Sequence, residues 1–267
     1  MTSLKIQNEV FELYYELGIS DPIDIDLEGI AFYKNAIVKR KPLCGCEARI
    51  IGVDSKAIIT INETSSIERQ NFSIGHELGH WFKDRGKIGN LCSKSDLGEN
   101  CLHKVKPSEK IANDFASELI IPHFMIKPVI TGTDFSLDAV RYVKSLFAGS
   151  FMATLRRIIA MNHHMAFFAS YNKEGIRNYF NHSPQLPGEF FPPQRVPIGS
   201  AIYTLIKTGN DLGPTVVDGD IWCREDLASG AVVHEHAFHY HNDEFLTLVW
   251  WKDEEPIWSL SEMKNGF

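Results

Sequence analysis

The residues of this chain best suited to chemistry are His76-Glu77-Leu78-Gly79-His80, two histidines four apart with a glutamate directly after the first. On a helix, positions four apart share a face. Both imidazoles would then address one point, as a tetrahedral zinc site requires. Glu77 would project beside the metal, where a carboxylate can take a proton from water. A helix that carries two unrelated histidines by chance is the alternative, because the motif is short. The surroundings favour the metal. Ser65 with Glu68 reads as a capping box that starts a helix. Ile67, Phe72, Ile74, Leu78 and Phe82 give that helix apolar surface to bury. Gly75 and Gly79 each cost roughly 1 kcal/mol of helix propensity, which makes sense where another backbone or a substrate comes close.

A catalytic zinc keeps three protein ligands and one open position. The third ligand is sought in Ser108-Glu-Lys-Ile-Ala-Asn-Asp-Phe-Ala-Ser-Glu-Leu-Ile-Ile-Pro122, a helix that Pro122 helps to end. Glu109, Ala112, Asn113 and Ala116 fall on one face. The small alanines allow a close neighbour, Glu109 can reach the metal, and Asn113 can orient a ligand histidine. Glu109 also suits the plain role of a first-turn glutamate, and Glu118, two turns later, is a rival ligand.

The elements that must position these groups read as follows. Residues 4–17 form an amphipathic helix with Leu4, Val10, Leu13, Tyr14 and Leu17 as its stripe, and Leu27–Tyr33 a second short one. Strands are expected at 36–40, 48–52 and 57–62. The strand Ala57 to Ile61 is expected to hold an extended peptide beside the metal, and it can also seal one side of the core. Residues 84–107 read as a long polar loop. Two helices follow within 136–160, in outline a helix-turn-helix whose Arg156-Arg157 could touch phosphate, or simply a packed hairpin. Beyond His163, strands are expected at 165–171, 221–223, 230–236 and 245–251, with a proline-rich loop at 184–197 and a helix at 197–207. His234, His236, His239 and His241 fit a solvated strand face better than a second metal site.

The 267 residues are 44% hydrophobic and 23% charged, ordinary for a soluble protein with room for two or three small domains. The apolar runs fall short of a bilayer span. The opening Met-Thr-Ser-Leu-Lys-Ile-Gln-Asn-Glu lacks the apolar core of a signal peptide. A cytoplasmic location with no membrane partner is expected. The formal charge of -7 does not favour general nucleic-acid affinity, so direct DNA binding is expected to be weak. Five cysteines without an export signal argue for free thiols. Cys44-Gly-Cys46 reads as a turn, or as a thiol control element.

Three of these stretches together resemble the ImmA/IrrE family of zinc metallopeptidases: Ile59-Thr-Ile-Asn62, Arg69-Gln-Asn-Phe-Ser-Ile-Gly-His-Glu-Leu-Gly-His80, and Glu109 through Pro122. The resemblance implies an α+β fold in three parts. These are a zincin-like metallopeptidase domain at 1–130, a helix-turn-helix-like segment at 131–162 and a GAF-like α+β sensor domain at 163–267. It implies Zn2+ held by His76, His80 and Glu109, with Glu77 as general base. It also implies a helix-turn-helix repressor as the substrate, cleaved at a specific site under stress such as DNA damage. The alternative is a regulator that uses the peptidase fold as a scaffold without hydrolysis. Gly75 departs from the family, where alanine commonly precedes the motif, and the Cys44–Cys46 pair has no counterpart there.

Overall fold

The computed structural model describes residues 3–83, 89–93, 107–211, 213–223, 232–255 and 257–258. Its contacts divide the chain into two compact units. One comprises Met1–Val129 with Tyr142–Thr154, the other Ile130–Arg141 with Leu155–Phe267. Among the described residues no helix is long and apolar enough to cross a membrane.

The first unit opens with helix α1, Ser3–Leu17. Ile6, Val10, Leu13 and Tyr14 are its buried stripe, whereas Leu4 is exposed. The helical period explains the difference, because Ile6 and not Leu4 is in line with Val10 and Leu13. Asp26 caps α2 (Leu27–Tyr33) by accepting the Glu28 amide at 3.0 Å.

Strands β1 (Ala36–Lys41), β2 (Cys46–Val53), β3 (Lys56–Asn62) and β4 (Gly89–Ser93) form one sheet in the order β1-β3-β2-β4. β4 falls inside the stretch read as a loop, and residues 84–88 and 94–106 of that stretch, with Cys101, lie outside the described residues. β3 is central, parallel to β1 and antiparallel to β2. Both of its backbone edges are therefore used. This overturns the expectation that Ala57 to Ile61 holds an extended peptide by main-chain pairing. The apolar run Ala57-Ile-Ile-Thr-Ile is that of an interior strand, and the outer strands among the described residues are β1 and β4. Between β1 and β2, Gly45 turns the chain with φ 79°, leaving Cys44 an exposed free thiol and Cys46 a half-buried one.

Helix α3 (Ile67–Lys83) packs on β2 and β3. Ile74, Leu78 and Trp81 are buried there, as are Ala48, Ile50, Ile59 and Ile61, which share the inner face of the sheet by register. A Cβ on Gly52 would lie 2.6 Å from the Trp81 ring, so glycine is what lets the indole lie flat on β2. Trp81 Nε1 donates to the Lys34 carbonyl at 2.8 Å. The cap of α3 is Ser66, whose Oγ accepts the Arg69 amide at 3.3 Å. Ser65, the expected cap, instead donates its hydroxyl to the buried Glu47 carboxylate. Which of two tandem serines caps the helix depends on this distant partner.

Helix α4 (Pro107–Ile120) is followed by α5 (His123–Thr131), α6 (Leu137–Leu146) and α7 (Phe151–Ala160). In the second unit, Arg156 lies with its guanidinium 5.7 Å from the centre of the Tyr179 ring, and burial lowers its pKa.

The second unit carries an antiparallel sheet in the order β6-β5-β9-β8-β7, built from β5 (Ala166–Asn172), β6 (Arg177–His182), β7 (Thr215–Asp218), β8 (Val232–His241) and β9 (Glu244–Trp250). Helix α8 (Ala201–Thr208) packs on β8 and β9. Ser200 caps it, and Gly209 ends it in the left-handed conformation. Ile221–Cys223, expected as a strand, is not one. Asp218 accepts the Asp220 amide at 3.2 Å and winds Gly219–Ile221 into a single 3-10 turn.

The centre of this unit is Glu235, fully buried on β8. Its Oε1 accepts from Ile202 N and Thr247 Oγ1, both at 2.9 Å. Its Oε2 accepts from Ala201 N and Trp222 Nε1, both at 3.0 Å. One carboxylate thus ties the start of α8 to β8, β9 and the Trp222 turn. Two of the neighbouring histidines have other partners. His234 stacks on Trp250 with ring centroids 5.5 Å apart, and His236 Nε2 lies 3.6 Å from Asp211.

Candidate metal centre

Helices α3 and α4 approach each other through their smallest residues. A Cβ on Gly79 would sit 2.9 Å from Ala112 Cα, and one on Gly75 3.0 Å from Ala116 Cα. As the number on α3 falls by four, the number on α4 rises by four, so the helices run antiparallel along a glycine–alanine seam. The helix propensity lost at the two glycines is exchanged for this backbone approach. The expectation that another backbone comes close at Gly75 and Gly79 is met by α4.

The seam carries the ionisable groups to one place. His76, His80 and Glu109 are, among the described residues, the one group of three or more His, Cys, Asp or Glu whose ligand atoms all lie within 4.8 Å of one another. Glu109 Oε2 is 3.3 Å from His76 Nε2 and 3.4 Å from His80 Nε2. The two Nε2 atoms are 3.1 Å apart. A tetrahedron of ligands at about 2.0–2.1 Å from its centre has edges of about 3.3–3.4 Å. Two of the three observed edges match that figure and the third is slightly shorter.

The chemistry of the donor set also fits a cation. His76 Nδ1 lies 2.9 Å from Asn113 Oδ1. A carbonyl oxygen only accepts, so a hydrogen bond here needs the hydrogen on Nδ1, the tautomer in which Nε2 offers a lone pair. Glu109 Oε2 is an acceptor as well. Acceptor atoms brought this close repel one another unless a proton or a metal ion lies between them. Both histidines and Glu77 are buried, while Glu109 keeps 15% of its side-chain surface exposed. Glu77 directly follows His76 on α3 and is fully buried.

Glu118 is not part of this group. Its buried carboxylate accepts the His123 amide at 2.6 Å and so starts α5. It also faces Tyr14, whose phenol is pushed up by burial first and by the Glu118 charge second. The sequence brought forward all three clustered residues and the Asn113 contact. Sequence reasoning read Phe72 only as apolar surface and Arg69 only as part of a motif stretch, and did not place them at the centre, where the Phe72 ring centroid is 6.4 Å from that of His76 and the Arg69 guanidinium lies 6.0 Å from the Phe72 ring centre. Their spacing of four and seven residues before His76 on the same helix was the available signal.

Comparison with known proteins agrees with this layout. Residues 46–166, which contain the whole centre, match the family model Peptidase_M78, described as the IrrE N-terminal-like domain. Among solved structures the chain is similar to a Mycobacterium tuberculosis transcriptional regulator, with 13% sequence identity and a TM-score of 0.56. That likeness covers 92% of this chain and 75% of the other, and at such identity it is a likeness of fold. No curated protein sequence matches the chain.

Proposed function

We propose that the chain is a zinc-dependent, site-specific endopeptidase that cleaves a helix-turn-helix repressor and so releases the genes that repressor silences. The observation that carries the reading is the convergence of His76 Nε2, His80 Nε2 and Glu109 Oε2 at tetrahedral spacing, with buried Glu77 the next residue after His76 on α3. His76, His80 and Glu109 hold the metal. A zinc ion in that position supplies Lewis acidity toward the scissile carbonyl and makes water acidic enough to react near neutral pH. Glu77 takes the proton of the attacking water as its oxygen bonds to the carbonyl carbon. It then delivers that proton to the amide nitrogen as the C–N bond breaks. Because β3 is enclosed by β1 and β2, a substrate chain held by strand pairing takes an outer strand of the sheet.

The match of residues 46–166 to an IrrE N-terminal-like peptidase domain supports a peptidase-fold regulator of a stress response, to which the repressor substrate is added here as part of the proposal. The second unit, an antiparallel sheet with a helix across it, suits a GAF-like sensor that receives the signal. The likeness to a transcriptional regulator favours a second reading, in which the peptidase fold is a non-hydrolytic scaffold that binds DNA or a partner. Incubation of the wild-type chain and Glu77→Gln with the helix-turn-helix regulator encoded nearest to it separates the two. One discrete cut by the wild type alone is expected. Sequence-specific DNA binding that survives zinc removal, with no cut, would establish the scaffold instead.

A further inference from the structure

We propose that Asn113 is a positioning residue of the metal centre: its side-chain carbonyl fixes the tautomer of His76 and so delivers the His76 Nε2 lone pair to the cation. The proposal rests on the reading of His76 and its neighbours as ligands. The Nδ1 to Oδ1 distance is 2.9 Å, an ordinary hydrogen bond. A neutral imidazole carries one N–H, and here the carbonyl holds it on Nδ1. Without that acceptor the ring is free to carry its hydrogen on Nε2, which blocks the ligand position, or to rotate away.

The backbone makes this contact reliable. Asn113 follows Ala112, whose Cα lies where a Cβ on Gly79 would come within 2.9 Å, and the next turn, Ala116, meets Gly75 in the same way. The level of Asn113 along α3 is therefore set by backbone touching backbone. Glu109 and Asn113 are four apart, so one face of α4 supplies both a ligand and the group that orients another ligand. His80 has its place from α3 itself, one turn beyond His76, and the α4 contact acts on His76. An amide is a neutral acceptor. A carboxylate in its place would accept the same hydrogen more strongly and make His76 a better donor to the metal.

The experiment is zinc competition titration of the full chain as wild type, Asn113→Leu and Asn113→Asp, together with long-range 15N NMR of His76 in the metal-free protein. Asn113→Leu should bind zinc roughly ten- to hundredfold more weakly, and Asn113→Asp at least as tightly as wild type. Metal-free wild type should show the hydrogen on Nδ1, and Asn113→Leu should lose that preference. Equal zinc affinity in Asn113→Leu and wild type would overturn the proposal, as would a hydrogen on Nε2 in the wild type. The wild-type tautomer decides the matter even if Asn113→Leu fails to fold. Wild type that binds no zinc would overturn the ligand reading, a result distinct from any shift among the Asn113 variants.

Discussion

The carboxylates of Glu235 and Glu109 sit in clusters built in opposite ways. Around Glu235 the fold supplies donors: two backbone amides, an indole N–H and a hydroxyl, one pair to each oxygen. Around Glu109 it supplies the imidazole Nε2 atoms of His76 and His80, 3.3 Å and 3.4 Å from its Oε2. A carboxylate ringed by donors is complete and works as a clamp. A carboxylate set against two imidazole nitrogens at these distances has the spacing of a tetrahedral metal site. Burial alone does not separate a structural acid from a ligand. The sign of its partners does.

That contrast is open to attack, first and most severely at Glu77. Glu77→Gln should lower cleavage by roughly 10²–10⁴-fold, the range for loss of a general acid–base group, while zinc content stays at the wild-type level. Normal cleavage by this variant, followed by gel electrophoresis, would remove Glu77 from the chemistry.

Next comes the clamp. Glu235→Gln puts an amide, with hydrogens of its own, among four donors, and each donor left without an acceptor costs about 1–3 kcal/mol. The thermal transition of the second unit should fall, and zinc binding should not change. A parallel loss of zinc binding would show that the two clusters are not separate devices.

The seam should respond unequally. Gly79→Ala meets backbone at 2.9 Å, Ala112 Cα being the nearest atom. Overpacking of about 1–3 kcal/mol should exceed the helix propensity gained. Gly75→Ala has slightly more room, 3.0 Å and 3.1 Å to Ala116 Cα and Cβ, so gain and strain should nearly cancel. Zinc titration and thermal melts of the two variants would test the order, and the reverse order would mean that the seam does not set the ligand spacing.

The smallest effect is on pH. His164, His234 and His236 in the second unit all have pKa values lowered first by burial. For a histidine whose folded pKa is depressed, the unfolded chain binds more protons between the two pKa values. Stability is then full above the unfolded pKa of about 6.5 and declines as pH falls below it toward the folded pKa. Burial raises the Glu235 pKa, which acts in the opposite sense at lower pH. The second unit should melt at lower temperature as pH drops below about 6.5, and His236→Asn should flatten that slope. A pH-independent transition would count against the buried histidines.

The clustering of the candidate ligands was largely legible because these residues lie on two helices, and helical spacing states directly which side chains share a face. His76, His80, Glu109 and Asn113 needed only the period 3.6 and the small residues between them. What sequence reasoning missed depends on partners far along the chain. β4 contributes five residues to the sheet from within a polar stretch, and β3 is central only because β1 returns beside it. Ser66 caps α3 because Glu47 engages Ser65. Glu235 stood among alternating histidines, and nothing local marked it as the residue that four donors converge on.

The most direct test of the three-ligand centre is the Co2+ spectrum of the full chain in place of zinc, measured with stoichiometry for wild type, His76→Ala, His80→Ala and Glu109→Ala. One cobalt per chain with the strong visible bands of tetrahedral coordination is expected for the wild type, with those bands lost or changed in each variant. A wild type that binds no cobalt or zinc, or a Glu109→Ala spectrum identical to wild type, would contradict the assignment of His76, His80 and Glu109 as one metal site.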